Sequence, residues 1–220
     1  MDPVMRRAWT EIVTADDYDA HMASIGQAQA AAELTAQIID ATNPPTGGRL
    51  TIAGAGTGQM LDFLTPATLR PYDLTFSDLN PKFLDRLRER LAHVRLTGKI
   101  VVDDIERTGL VPEADLLLAS LLLEQIDWRA GVEALAGLRP QACGIILQEN
   151  PPGMTSAVTP GRSVPPSIAE ASKNLASTLI PRHELTTAMA ARGYSCQLTA
   201  SREVADGKRL VALLFVRNER

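Results

Sequence analysis

The chain has 220 residues, 45% of them hydrophobic, with 15 Gly and 14 Pro, enough for one domain with a substantial core. Its 26 acidic residues outnumber 22 basic ones, for a net charge of −4, and no Lys/Arg run interleaves with aromatics, so nucleic acid is not an expected partner. No stretch reaches 18 apolar residues and the opening MDPVMRRAWTEIV lacks an apolar core, so no membrane association and a cytoplasmic location are expected.

Before Pro44 the pattern is helical. Thr14 with Asp17 three residues on forms a capping-box pattern, and Gly26 is expected to divide the segment into two helices. In AAELTAQIIDA, Leu34, Ile38 and Ile39 fall on one face. Residues 1–45 are therefore expected to form a helical cover, and 46–220 the main domain. After the loop NPPTGG come alternating strand and helix patterns, with strands predicted at RLTIAG, DLTFSD, KIVVDD, DLLLAS and GIILQE. These runs are apolar on both faces, as a sheet covered by helices on each side requires. Asn80 and Asp127 are predicted to cap the helices NPKFLDRLRERLAHV and DWRAGVEALAGLRP, the first with a core stripe of Leu84, Leu87 and Leu91.

Residues 151–180, rich in Pro, Ser and Ala, follow the fifth strand and are expected to act as a lid. The helix HELTTAMAARGY then precedes SCQLTASREV and RLVALLFVR, which flank the turn segment ADGK and predict a terminal hairpin. Cys143 and Cys196 lack ligand spacing and are expected as buried thiols; His21, His93 and His183 form no metal pattern, and no metal is expected.

The stretch RLTIAGAGTGQM carries the chemistry. Gly54, Gly56 and Gly58 close the first strand, where an open parallel sheet binds ligands, and glycine there permits positive φ and close approach to the backbone. A dinucleotide fingerprint would need Gly or Ala where Gln59 stands. Asp78, twenty residues beyond Gly58, ends the second strand and is placed to accept ribose hydroxyls, or else to cap the next helix. At the end of the third strand Asp104 is suited to an adenine amino group and Ile105 to its ring, with Asp103 the alternative inward carboxylate. For Gly58 the alternative is a close helix-to-strand contact.

Together, AGAGTG, FSDLNP, DDIE, ADLLLASLLLEQIDW and the terminal hairpin resemble the class I S-adenosylmethionine-dependent methyltransferases over about residues 45–220. The resemblance implies an α/β fold: a Rossmann-like, seven-stranded, mostly parallel sheet with a C-terminal antiparallel hairpin and helices on both faces. It also implies that Gly54, Gly56 and Gly58 line the methionine half of the cofactor, S-adenosylmethionine. Asp78 would bind the ribose, Asp104 and Ile105 the adenine, and the backbone around Ala119 the amino end, with Leu79 also in the cofactor site. Where the family usually has an acidic residue before the first glycine, this chain has Ala53. The implied activity is in-line methyl transfer to an O or N atom of a small-molecule acceptor. Two other readings stay open: an NAD(P)-dependent Rossmann reductase, and an S-adenosyl-binding module without turnover.

The candidate catalytic groups are Glu124, just past the fourth strand, and Tyr18 and His21 on the cover, which share a helix face with Ile25. With only two Trp, three Tyr and four Phe, an aromatic cage would draw on Trp9, Tyr18 or Trp128. ENPPG at 149–153 is similar to the amide-binding motif of amino-methylating enzymes, but it follows the fifth strand and ends in Gly153 rather than an aromatic, which favours a rigid loop.

Overall fold

The computed structural model describes residues 2–154, 164–173 and 178–218. Helix α1 (Pro3–Arg7) continues into a wide helical turn at Ala8–Ile12, and α2 (Ala15–Ser24) starts where the Thr14 hydroxyl accepts from the Asp17 N–H. Gly26, at φ +71, separates α2 from α3 (Gln27–Thr42). The strands are β1 (Arg49–Ala53), β2 (Asp73–Asp78), β3 (Lys99–Val102), β4 (Leu116–Ser120) and β5 (Ala142–Glu149). Between them lie α4 (Pro66–Leu69), α5 (Pro81–Val94), capped by Asn80, and α6 (Trp128–Gly137), capped by Asp127. The chain then adds α7 (Pro166–Ser172), α8 (Arg182–Ala190), β6 (Tyr194–Glu203) and β7 (Arg209–Arg217).

The seven strands form one sheet in the order β3-β2-β1-β4-β5-β7-β6, with β1 to β5 parallel and β7 antiparallel to both β5 and β6. Strand order reverses between β1 and β4, which opens a crevice beyond their carboxyl ends. Alternation along the central strands divides the core. Leu116, Leu118, Ile146 and Leu214 join the α3 and α5 side with Ile38 and Leu87, while Leu117, Ala119, Ile145 and Phe215 join the α6 and α8 side with Leu135 and Met189. A third, smaller cluster joins Ala8 and Val13 to Phe83 of α5 and to Ile168 and Ala171 of α7. Among the described residues, no helix is long and apolar enough to cross a membrane.

Three expectations change. Helix α3, the last part of the expected cover, is built into the main fold: Leu34, Ile38 and Ile39 sit in the large core, leaving α1 and α2 as the part that reaches the crevice. Strand β3 is not covered on both faces, because it is the edge strand, and Val102 is 56% exposed. Cys143 is buried as expected, but Cys196 is only partly so, lying on the outer strand β6 whose side chains alternate toward solvent. Within the expected lid, α7 is fastened to the cover. The Ser167 N–H donates to Asp17 Oδ2 at 2.8 Å, and the Thr14 N–H donates to Ser167 Oγ at 3.1 Å. Residues 155–163 and 174–177 of that lid lie outside the described residues.

Candidate functional site

At the end of β1 the chain turns through Gly54, Gly56 and Gly58 at φ +65, +57 and +74, a backbone path that side-chain-bearing residues resist. The turn leads into a single short helical turn at Gln59–Asp62, not into a long α-helix. Asp78 points into the bend. Its Oδ2 accepts from the Gly56 N–H at 2.8 Å, and its Oδ1 accepts from the Asn80 N–H at 2.8 Å, with Leu79 N–H contributing. Burial raises its pKa above the usual carboxylate range, against the pull of these three donors. An ionised carboxylate offers about four lone-pair directions, so with three donors in place about one remains for a sugar hydroxyl. Capping of α5 falls to Asn80, whose Oδ1 accepts from Lys82 N–H.

The three glycines have different neighbours. A Cβ on Gly54 would fall 2.8 Å from Leu122 Cδ1, and one on Gly56 would lie 3.4 Å from the Tyr18 ring. On Gly58 it would meet Leu87 Cδ1 at 2.4 Å, so that glycine serves the packing of the turn on α5, the alternative left open for it. Three of the turn's N–H groups are committed: Ala55 N to Ser77 O, Gly56 N to Asp78, and Gly58 N to Ala55 O. Those three donors are spent on the protein itself, and only a single short helical turn follows them.

The cover is tied to this turn. Arg90 of α5 donates to Asp19 Oδ2 at 2.9 Å, to Asp62 Oδ2 at 2.9 Å and to Thr57 O at 2.8 Å. The Thr57 hydroxyl, fully buried, lies between Asp19 Oδ1 and Gln59 Oε1. Asn80 Nδ2 donates to Trp9 O at 2.7 Å. Trp9, Tyr18 and Phe83 form an aromatic cluster: Tyr18 stacks on Phe83 at 5.1 Å, and Trp9 stands edge-on to Tyr18 at 5.9 Å. Of the expected cage residues, Trp9 and Tyr18 therefore meet, and Phe83, which the sequence reading missed, completes the group. Trp128 is elsewhere, buried on the α6 side beneath the Arg129 guanidinium.

Beyond β3, Asp104 Oδ1 accepts from the Glu106 N–H at 3.2 Å and its Oδ2 pairs with Arg6 of the cover. Ile105 is buried beside it. Asp103, the alternative, accepts from the Gly109 N–H at 2.8 Å and braces that loop. Across the crevice Ala119 is in register with Ala53. Two residues on, Leu121 takes a left-handed φ of +54 while its N–H bonds Ile146 O, and this swings Leu122 onto Gly54.

No family model matches the chain, and no curated protein matches it by sequence. Solved structures do. Magnesium protoporphyrin IX methyltransferase from Synechocystis PCC 6803, with bound SAH, superposes over 88% of this chain and 84% of its own at 16% identity, with a TM-score of 0.68. The chain has the class I methyltransferase fold. Geranyl diphosphate C-methyltransferase from Streptomyces coelicolor A3(2) is similar over 83% of this chain and 78% of its own, at 12% identity and a TM-score of 0.61. The [4+2]-cyclase SpnF shares the methyltransferase fold at 12% identity over 86% and 82% of the two chains, with a TM-score of 0.65. Likeness at this level concerns architecture; chemistry has to come from the site.

In this methyltransferase fold the three expected catalytic groups lie on two elements, Tyr18 and His21 on α2 and Glu124 in the turn after β4. Tyr18 sits on the glycine turn, and burial raises its phenol to about 12, opposed by a hydrogen bond from Gln59. His21 follows one helical turn later on α2, partly buried. Glu124 is 3% exposed and turned toward β5, where its Oε1 accepts from the Gln148 N–H at 2.7 Å; Oε2 has no partner among the described residues. Burial lifts the Glu124 carboxyl to about 7. A buried amide chain continues from there, Gln27 Nε2 to Gln148 Oε1 at 2.7 Å and Gln148 Nε2 to Asn150 Oδ1 at 2.8 Å. The ENPPG loop is braced in the same way, since Asn150 Nδ2 donates to Met154 O at 3.1 Å. Among the described residues, no three His, Cys, Asp or Glu side chains gather where they could hold a metal ion.

Proposed function

We propose that this protein binds S-adenosylmethionine at the glycine turn and transfers its methyl group to an O or N atom of a small-molecule acceptor. The observation that carries the reading is Asp78, which ends β2 beside the glycine turn with its carboxylate fastened to the Gly56 N–H and about one acceptor direction left. S-adenosylmethionine supplies the activated methyl group. Asp78 and Leu79 take the ribose, Asp104 and Ile105 the adenine edge and ring, and Gly54 and Gly56 give the sulfonium side close access to main chain. Carbonyls beyond Ala119 take the ammonium that Ala53 cannot neutralise.

In-line transfer demands placement, with the acceptor atom about 3 to 3.5 Å from the methyl carbon and water excluded. The bolted assembly of α1, α2 and α7 supports that enclosure, and it favours a small molecule over a macromolecular surface. Glu124, its carboxyl raised by burial to about 7, is the group suited to accept a proton from an O–H acceptor; a neutral amine needs no base. The committed N–H groups of the turn weigh against a nicotinamide dinucleotide. Ala53, which cannot neutralise the cofactor's ammonium group, favours one second reading, adenosyl binding without methyl transfer.

Titration calorimetry with S-adenosylmethionine, S-adenosylhomocysteine and NADPH separates these readings. Binding of the two sulfur ligands, with homocysteine-containing product released from some member of a hydroxyl and amine acceptor panel, supports the proposal. NADPH binding in their place overturns it, and tight sulfur-ligand binding with no product across the panel supports the second reading.

A further inference from the structure

Glu124, just past β4, has one carboxyl oxygen unaccounted for. Its Oε1 accepts from the Gln148 N–H at 2.7 Å, near the end of β5. Its Oε2 is buried, in a residue only 3% exposed, and has no hydrogen-bond partner among the described residues. The amides beside it spend hydrogens on one another: Gln27 Nε2 on Gln148 Oε1, Gln148 Nε2 on Asn150 Oδ1, and Asn150 Nδ2 on Met154 O. Among the described residues no Lys, Arg or His forms an ion pair with Glu124, nor with Asp78, the other buried carboxylate at this end of the sheet. Leu122, two residues before Glu124, lies against Gly54, so the turn that carries Glu124 adjoins the glycine turn. The Glu124 carbonyl in turn accepts from the Thr178 N–H of the lid at 3.0 Å.

We infer that Glu124 Oε2 receives an N–H of the acceptor's amino group, so that the molecule methylated at this site is an amine. The inference rests on the methyltransferase reading above and narrows its O or N acceptor to nitrogen. Glu124 then holds that nitrogen in place of taking a proton from a hydroxyl. A buried carboxyl with an unpaired oxygen costs free energy until a donor reaches it. Charge decides which donor. A hydroxyl brings one hydrogen bond and no compensating charge, and a carboxylate or phosphate would set a second negative charge beside an acid that has no basic partner. An amine brings N–H donors and, when protonated, the positive charge that the protein leaves out.

The test follows the Glu124 carboxyl carbon by NMR in the full chain saturated with S-adenosylhomocysteine. Methylammonium, methanol and formate are the probes, small enough to enter without a matching scaffold. We expect a saturable shift with methylammonium, at a dissociation constant about tenfold or more below those of the other two. Equal responses to the three, or none to methylammonium, overturn the inference. Glu124→Gln identifies the resonance by its disappearance and should abolish the preference, since its amide nitrogen can only donate. Should that variant not fold, the Gln148 N–H resonance of wild type, bonded to the same carboxyl, carries the comparison alone. In turnover with matched pairs of amines and alcohols, methylated product should come from the amines, and product from alcohols alone overturns the inference. Failure to bind S-adenosylhomocysteine in calorimetry is a separate result, which removes the methyltransferase reading and the inference with it.

Discussion

Replacing Glu124 with Gln should abolish the pH dependence of stability that this one buried carboxyl imposes. In the folded chain its pKa is raised from 4.5 to about 7 by burial, so between these values the folded state binds more protons than the unfolded state. Stability is therefore lost as pH rises from the unfolded pKa through the folded one, and the loss is complete above it. With a folded pKa of about 7, the expected cost of ionising Glu124 between about pH 5 and about pH 8 is roughly 2 to 3 kcal/mol. Gln keeps the oxygen that accepts from Gln148 N–H and cannot ionise. Urea unfolding of both proteins at several pH values measures the difference. Glu124→Gln should gain on wild type by that amount over the interval, whatever the other groups common to both proteins do. A constant difference across the range, or one that grows as pH falls, would refute the burial of an ionisable carboxyl at this position.

Two further outcomes follow from the turn. Asp78→Asn removes the charge and keeps an acceptor oxygen for only one of the Gly56 and Asn80 N–H groups, which bond different carboxylate oxygens, so S-adenosylhomocysteine affinity should fall by about 1.5 to 3 kcal/mol in calorimetry. An unchanged dissociation constant in a folded protein would reduce Asp78 to a brace for the turn. Gly58→Ala should cost about 2 kcal/mol or more in urea unfolding, because the residue sits at φ +74 and its new methyl would meet Leu87 Cδ1 at 2.4 Å. Loss of less than about 0.5 kcal/mol would show that α5 does not close on the turn as described.

The parts of the fold that were legible in the sequence are those written locally. Thr14, Asn80 and Asp127 announce helix starts with their own side chains, and the apolar runs of β1, β4 and β5 need no partner to be recognised. Asp78 was legible because its spacing from the glycines reflects one strand-helix-strand unit. What stayed hidden depends on residues far apart in sequence. Arg90 lies in the charged run RLRER and reads as solvated, yet it fastens Asp19 of the cover, 71 positions earlier. Arg6 and Asp104 are separated by 98 positions, and nothing local marks their pairing. The placement of α3 in the main core, rather than in a cover, depends on its close approach to the sheet at Gly144, where a Cβ would meet Ile38 at 2.8 Å. One signal was available and unused: Gln27 falls on the same helical stripe as Leu34 and Ile38, and Gln148 interrupts an apolar strand, so two amides stood at buried positions and found each other at 2.7 Å.

The most direct test of the adenosyl seat is a crystal structure of the protein with S-adenosylhomocysteine. We expect the ribose hydroxyls within hydrogen-bonding distance of the Asp78 carboxylate and the thioether passing Gly54 and Gly56. A ligand whose sugar lies away from Asp78, or one bound outside the crevice between β1 and β4, would contradict it.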